Sequence, residues 1–279
     1  MKTIAVLLTV HNRKEKTMKC LENLFNQQIP SGYSIAVYLT DDGCTDGTVE
    51  AVKKRFPTVQ IVQGDGTLYW NRGMWTAWNA AAKHNHNYYL WLNDDTYLLP
   101  GAIEELMQSA TRCHEEAIVV GACRNEKASC TTYGGRTASS KVPDPTGELQ
   151  KVRTFNGNIV LIPAFVYNKV GNLDYTFRHS MGDLDYGYRA SKQGIGIFQS
   201  ANYLGVCDRH ETYPNWCNPK VDIKKRWKVL FSPTGYNPKE RFYFEHKHYG
   251  FITATFHTAL IYLRCIFPKF WILIKHDKI

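Results

Sequence analysis

An almost unbroken apolar run near the start of the chain constrains the fold more than any other feature. Residues Ile4 to Val10 are apolar except for Thr9, and the run has the length of one strand. A strand that is apolar on both faces is typical of the centre of a parallel sheet covered by helices on both sides. The run therefore predicts an α/β protein in which it forms a central strand.

Strand-like and helical patterns then alternate along the chain. Met18, Leu21 and Leu24 recur at helical spacing, and Pro30 ends that pattern. Further strands are predicted at 35–40, 60–63, 88–92 and 158–162, and further helices after Asp46 and at 77–82, 166–170 and 183–193. Residues 127–151 are rich in Gly, Ser, Thr and Pro and predict a long loop or an irregular edge hairpin. The alternation favours right-handed βαβ units around a mostly parallel sheet.

Polar clusters directly follow three of the predicted strands, at 9–13, 40–43 and 93–95. In open sheets of this kind, ligands bind beyond the carboxyl ends of the strands. The adjacent carboxylates Asp94 and Asp95 would suit a hard divalent cation such as Mg²⁺ or Mn²⁺, which shares its oxygen ligands with substrate phosphates. Asp41 and Asp42 could accept hydrogen bonds from a ribose hydroxyl or a base N–H. A polar turn with a helix cap is the alternative for either pair.

These clusters, taken together with two later segments, resemble the signatures of the family 2 glycosyltransferases of GT-A fold. The matching segments are TVHNR at 9–13, TDDGCTDGT at 40–48, GDGTLYWNRGMWTAWNAA at 64–81, WLNDDT at 91–96 and MGDLDYGYRA at 181–190. The segment at 64–81 is similar to the donor-crossing loop of rhamnosyltransferase-like members. The resemblance runs from about residue 3 to about residue 212, and the joint pattern is far more specific than any one of its pieces.

The resemblance implies a fold, a division of the chain and an activity. The fold is of GT-A type, with a mostly parallel central sheet flanked by helices and a Rossmann-like nucleotide-binding half beside an acceptor half. A catalytic domain at 1–212 would comprise a nucleotide-sugar-binding half at 1–97 and an acceptor half at 98–212, and 213–279 would form a helical extension. The implied enzyme is a metal-dependent hexosyltransferase that inverts the anomeric carbon.

The resemblance also implies the substrates. The donor would be a nucleoside-diphosphate sugar, with UDP or dTDP as the nucleotide and rhamnose among the candidate sugars. The acceptor would be a hydroxyl of a saccharide or of a lipid-linked saccharide in the assembly of a bacterial surface polysaccharide. The cofactor would be a divalent metal, Mn²⁺ or Mg²⁺, that neutralises the charge of the leaving diphosphate.

Carried over residue by residue, the resemblance assigns three kinds of site residue. Asp183 matches the general base, Asp95 the metal ligand of the D-x-D signature, and His210 a further metal ligand of some members. Two departures are Asn93 at the first position of the D-x-D signature and Gly182 in place of a glutamate. The residues expected to bind the nucleotide sugar are Thr9, His11, Asn12, Arg13, Asp41, Asp42, Gly66, Trp70, Asn71, Gly73, Asn93 and Asp94.

Alternative interpretations remain open at this point. Asp185 could be the base instead of Asp183, although it could also pair with Arg189 one helical turn away. A nucleotidyltransferase that forms sugar nucleotides would need similar groups, and a non-catalytic sugar-binding module would explain the aromatic residues. A nicotinamide-dependent dehydrogenase is disfavoured, because no GxGxxG segment follows the first strand.

Charge and cysteine usage bear on location. The net charge is +9, and most of the basic excess lies after Trp216 beside apolar residues, which favours an anionic membrane surface and not nucleic acid as partner. The eight cysteines form no CxxC pair, as expected of reduced thiols in the cytoplasm. We therefore expect a cytoplasmic protein whose tail binds the inner face of the plasma membrane peripherally. Packing of the tail on the catalytic domain or on a second subunit is the alternative.

Overall fold

The computed structural model of the chain describes residues 1–209 and 213–275. These residues form two compact units. The first unit comprises Met1–Tyr175 and Gly182–Arg209. The second unit comprises Thr176–Met181 and the described residues from 213 onward.

Strands and helices alternate through the first unit. The strands are β1 Lys2–Val10, β2 Tyr33–Asp41, β3 Gln60–Gln63, β4 Tyr88–Leu92, β5 Tyr97–Leu98, β6 Ile118–Arg124, β7 Thr131–Tyr133, β8 Gly135–Arg136, β9 Gln150–Lys151, β10 Thr154–Phe155, β11 Ile159–Pro163 and β12 Ile197–Val206. The helices are α1 Lys14–Phe25, α2 Thr48–Arg55, α3 Tyr69–Ala81, α4 Ala102–Arg112, α5 Ala164–Val170 and α6 Gly182–Lys192.

The main sheet of this unit has the strand order β3-β2-β1-β4-β11-β6-β12-β5. The first four strands in this order are parallel, β11 is antiparallel to both of its neighbours, and β12 again runs parallel to β6. Short strands extend the sheet, with β7 on β6 and β9 on β12, while β8 and β10 form a separate pair. The order confirms the predicted α/β fold with a mostly parallel sheet.

The residues of β1 alternate between two apolar cores. Ile4, Val6, Leu8 and Val10 belong to one core, which includes residues of α1 and α4. Ala5 and Leu7 belong to the other core, which includes residues of α3 and α6. Both sets are almost fully buried, and this explains why the strand is apolar at successive positions.

Helices make up most of the second unit. After a short 3₁₀ turn at Asn215–Cys217 come α7 Ile223–Phe231, α8 Pro238–Tyr249, α9 Phe251–Ile266 and α10 Pro268–Lys275. Trp216, Cys217, Leu230, Ile261 and Cys265 form its small core. The C-terminal part is helical, as predicted, and no helix in the described parts of the chain is long and apolar enough to cross a bilayer.

Candidate active site

The sheet order brings the predicted polar clusters to one edge. Strand β1 lies between β2 and β4, and Val10 is in register with Asp41. The carboxyl ends of these three parallel strands therefore lie side by side, and each continues into one of the clusters at 9–13, 40–43 and 93–95. This is the edge at which ligands bind in open α/β sheets.

Arg13 connects the first cluster to the acidic pair. One guanidinium nitrogen of Arg13 lies 2.9 Å from Asp94 Oδ1, and the other lies 2.5 Å from Asp95 Oδ2. Thr17 also contributes, because its hydroxyl donates to Asp94 Oδ2 at 3.3 Å. Thr17 was not among the predicted site residues, although its helical spacing from the apolar Cys20, Leu21 and Leu24 marks a polar residue on the apolar face of α1.

The two carboxylates differ in exposure. Asp94 is buried, whereas the side chain of Asp95 is 17% exposed. Burial raises the pKa of Asp94 to about 7 despite the opposing charge of Arg13, and the negative charge of Asp95 adds to the rise. Asp95 is thus the carboxylate of this pair that can reach a ligand in solution.

The described residues offer a divalent cation few protein ligands at this edge. Within 1–209 and 213–275, no three His, Cys, Asp or Glu side chains are grouped so that they could hold a metal. Asp95 can offer one exposed carboxylate, and Mg²⁺-type sites often take one or two carboxylates and complete their shell with substrate phosphates and water. His210, the other predicted ligand, lies outside the described residues.

A chain of contacts links Asn93 to Asp183. Trp70 donates from its indole N–H to Asn93 Oδ1 at 2.7 Å. The ring of Trp70 lies against Gly157, where an added Cβ would be only 2.5 Å from a ring carbon. The backbone N–H of Gly157 then donates to Asp183 Oδ2 at 3.2 Å. The structure therefore connects the predicted base to the metal signature through Trp70 and Gly157.

Asp183 and Asp185 have different surroundings at the start of α6. Asp183 is partly exposed and accepts a second backbone bond, from Leu184 N–H at 2.8 Å. Burial raises the pKa of Asp183 above its usual range, and these two backbone donors oppose the rise. Asp185 is fully buried and accepts from Arg189 Nε at 2.8 Å. Only Asp183 of the two can therefore meet a hydroxyl group from outside.

The acidic pair after β2 is occupied by protein donors. Asp42 accepts from the backbone N–H groups of Gly66, Leu68 and Tyr69, at 2.9, 3.1 and 2.9 Å. Asp41 accepts from Cys44 N–H at 2.8 Å and from the side chain of Gln63 at 3.1 Å. Both carboxylates are buried. In this structure Asp42 holds the 66–69 loop in place, a role that was not predicted from the sequence.

The turn after β1 contacts the segment that follows β2, and α3 packs closely on β1. His11 Nδ1 lies 2.5 Å from the carbonyl oxygen of Asp42, and Asn12 Oδ1 accepts from Thr45 N–H at 2.7 Å. Gly73 of α3 lies against Thr9, and a Cβ at this position would overlap the Thr9 hydroxyl. Close helix–strand packing therefore requires glycine at position 73. A contact between these residues and a donor stays a prediction.

Asn71 occupies the space beside Gly182. A Cβ built on Gly182 would overlap the side-chain amide of Asn71, which is fully buried and donates from Nδ2 to the carbonyl oxygen of Asp174 at 2.8 Å. The glutamate that the resemblance would place at position 182 has no room while Asn71 is present. Asn71 contacts protein groups here, so its predicted contact with the donor stays untested.

Comparison with solved structures supports the same fold. The crystal structure of S. aureus TarS superimposes with a TM-score of 0.58 at 14% identity, covering 90% of this chain and 44% of that chain. TarS 1-349 in complex with UDP-GlcNAc gives 0.57 at 14% identity, with 90% and 73% covered. GalNAc-T7 with UDP, GalNAc and Mn²⁺ gives 0.58 at 12% identity, with 88% and 50% covered. The chain thus spans less than half of the full TarS structure.

Comparison by sequence gives the family. No curated protein matches the sequence. The family model described as glycosyl transferase family 2 matches residues 5–183, a span that includes every cluster described above and ends at Asp183. Since the match covers more than half of the chain, the chain belongs to glycosyl transferase family 2.

Proposed function

We propose that the chain transfers a hexosyl unit from a UDP- or dTDP-sugar to a hydroxyl of a saccharide acceptor, with inversion of the anomeric carbon. The observation that carries this proposal is the separation of two kinds of carboxylate. Asp94 and Asp95 form a charged pair with Arg13, whereas Asp183 stands apart as a partly exposed carboxylate with a raised pKa. Inverting transfer needs such a division, because one group must accept a proton while another region receives the diphosphate.

Asp183 would act as the general base. Its two backbone donors, Gly157 and Leu184, fix the direction of the carboxylate. The charged form accepts the proton of the acceptor hydroxyl while that oxygen attacks the anomeric carbon from the face opposite the diphosphate. Attack from that face inverts the centre. Removal of a positioned base typically costs about a hundred- to ten-thousand-fold in rate.

The part of the site that contains Asp94 and Asp95 would receive the donor phosphates. A divalent cation held by Asp95 would neutralise the charge that develops on the leaving nucleoside diphosphate. Arg13 offsets part of the negative charge of Asp94 and Asp95 before such an ion binds, because its guanidinium contacts both carboxylates. The presence of UDP and Mn²⁺ in the GalNAc-T7 structure supports the choice of a uridine nucleotide and of Mn²⁺.

Two features of the sequence favour a particular sugar and a particular acceptor. The segment 64–81 favours rhamnose among the candidate sugars through its resemblance to rhamnosyltransferase-like members. The basic, apolar second unit favours an acceptor carried on a lipid at the inner face of the plasma membrane. We infer that the acceptor is a lipid-linked saccharide in the assembly of a bacterial surface polysaccharide.

The donor class can be tested by thermal unfolding with UDP and with dTDP, each with and without Mn²⁺. A nucleotide at a hundred times its dissociation constant should add about 2.7 kcal/mol to the free energy of unfolding. The variant Asp95→Ala tests the metal ligand, and it should lose the Mn²⁺-dependent part of this gain in the free energy of unfolding. Stabilisation by neither nucleotide would contradict the proposal. Turnover that releases pyrophosphate instead of a nucleoside diphosphate would point to a nucleotidyltransferase.

A further inference from the structure

Helix α9 of the second unit is apolar on two opposite faces. Its inner face contributes Ile261 and Cys265 to the small core, beside Trp216 and Leu230. Ala254, which lies seven residues before Ile261 on the same face, is also fully buried. An ordinary surface helix would be polar on the side opposite such a core face.

The outer face of α9 carries a row of exposed apolar side chains. Ile252, Phe256 and Leu263 are 84%, 60% and 48% exposed, and Ile266 continues the row at helical spacing. These four residues are here named the α9 stripe. Phe267 and Phe270 extend the exposed apolar surface into α10. Monomeric soluble proteins rarely leave a contiguous apolar surface of this kind uncovered.

The second unit carries basic side chains without internal counter-charges, and one of them, Lys269, lies beside Phe267 and Phe270. Lys224, Lys225 and Lys228 of α7 and Lys269 of α10 are exposed. The carboxylates of the described second unit are already engaged. Glu240 pairs with Arg178, Glu245 pairs with Arg241 and lies near His257, and Asp222 caps α7. The positive charge of the unit therefore lacks balancing carboxylates within the described residues.

A groove of about 370 Å³ at the turn from α9 to α10 combines apolar walls with cations. Ile266, Phe267 and Phe270 line it together with Arg226 and Lys269. Arg226 is buried and donates only to backbone carbonyl oxygens, including that of Val221 at 3.1 Å. No carboxylate among the described residues pairs with its guanidinium, and its Nε has no hydrogen-bond partner. A guanidinium, an ammonium and phenyl rings together suit a phosphate group attached to an acyl chain.

We propose that the second unit docks on the surface of an anionic phospholipid bilayer through the α9 stripe. The apolar side chains enter the boundary between headgroups and acyl chains, the groove holds one lipid phosphate between Arg226 and Lys269, and the positive charge of the unit attracts the anionic surface. Helix α9 has 16 residues and is about 24 Å long at 1.5 Å per residue. It therefore lies in the interface and does not span the bilayer.

Charge selects the bilayer over a second copy of the chain as the occupant. A two-fold contact through the α9 stripe would bring the same surface of each copy together. Lys269, which lies beside Ile266 of this stripe, would then be brought close to its copy, and the two positively charged units would repel each other. An anionic membrane surface supplies the opposite charge and attracts such residues.

The proposal is tested by co-sedimentation of the full chain with lipid vesicles. The protein should sediment with vesicles of equal parts phosphatidylglycerol and phosphatidylcholine, and not with phosphatidylcholine alone. The double variant Phe256→Ser with Leu263→Ser should bind at least about tenfold more weakly, since two exposed apolar side chains leave the interface. Phe165→Ser is the control, because Phe165 is a 38% exposed apolar residue on α5 of the first unit and lies outside the α9 stripe.

Two further variants test the charges. Lys269→Gln changes an exposed side chain of the groove, and it should weaken binding about fivefold at low salt. Arg226→Gln should weaken binding more, provided that its thermal unfolding matches that of the parent. Unchanged binding of Lys269→Gln would overturn the groove assignment whatever happens to the buried Arg226 variant.

Several results would overturn the proposal as a whole. These are equal binding to both kinds of vesicle, unchanged binding of the α9-stripe double variant, or no binding to anionic vesicles. A dimer in solution that the same double variant converts to monomer would assign the α9 stripe to a second copy. None of these measurements involves sugar transfer, so such a failure would leave the proposed function standing.

Discussion

Replacing Asp42 with alanine would remove the acceptor of three backbone N–H groups in the 66–69 loop. The N–H of Leu68 is buried and would remain without a partner, which costs about 1.5–3 kcal/mol for a bond to a charged group. The N–H groups of Gly66 and Tyr69 are partly accessible to water, so each should cost about 0.5–1 kcal/mol. The free energy of unfolding should therefore fall by roughly 4 kcal/mol.

Thermal unfolding measures this loss directly. For a unit of roughly 200 residues, a loss of about 4 kcal/mol corresponds to a decrease in Tm of about 8–16 °C. Asp42→Asn keeps one oxygen for Gly66 and Leu68 and loses the bond to Tyr69, so it should cost only about 1 kcal/mol. Asp65→Ala is the control, because this exposed carboxylate bonds only to Thr67 nearby, and it should leave Tm unchanged.

The same variants distinguish loop support from donor contact. If Asp42→Ala unfolds at the temperature of the parent and loses only its affinity for nucleotide, the carboxylate acts on the ligand and the structural explanation is refuted. If Asp42→Asn is as unstable as Asp42→Ala, the contributions of the three hydrogen bonds to the free energy of unfolding do not add as estimated above.

Three further predictions concern the site. Asp95→Ala should keep its circular dichroism spectrum while its nucleotide affinity no longer responds to Mn²⁺, and an undiminished response would contradict Asp95 as ligand. The kcat/KM of the parent should fall as pH drops through the pKa of Asp183, because the base must be deprotonated. Burial raises that pKa, so the fall in kcat/KM should occur above about pH 4, the region where an ordinary aspartate titrates. A fall in kcat/KM only at about pH 4 would contradict the assignment of Asp183 as the base. Gly182→Ala should lower the free energy of unfolding by about 1–3 kcal/mol through overpacking against Asn71. Adding Asn71→Ala should recover part of that loss. An unchanged Tm for Gly182→Ala would argue against the close contact between Gly182 and Asn71.

The pattern of the sequence predicts those elements whose burial leaves a local signal. Strand β1 is apolar at successive positions because both of its faces are covered, and β4 at Tyr88–Leu92 is buried in the same way. The pattern does not single out β6, whose run contains Gly121. The structure explains this glycine, because a Cβ there would lie 2.7 Å from the side chain of Ile159 on β11. A contact between segments that are far apart in the chain produces no periodic pattern in the sequence.

The site shows the same limit. The acidic clusters can be identified from their position after strands, but the partners of each carboxylate depend on segments far along the chain. Asp42 has the appearance of a ligand-binding residue in the sequence, yet its oxygens accept from residues 66–69. Arg13 likewise pairs with Asp94 and Asp95, some eighty positions away. Sequence spacing alone carries no information on these pairings.

The configuration of the newly formed glycosidic bond tests the central claim most directly. Proton NMR of the product made by the parent chain from a purified nucleoside-diphosphate hexose should show the anomeric configuration opposite to that of the donor, with release of the nucleoside diphosphate. Asp183→Asn should bind the same donor and form no product at a comparable rate, because an amide cannot accept the proton. A product that retains the donor configuration, or an Asp183→Asn variant as active as the parent, would contradict direct displacement assisted by Asp183.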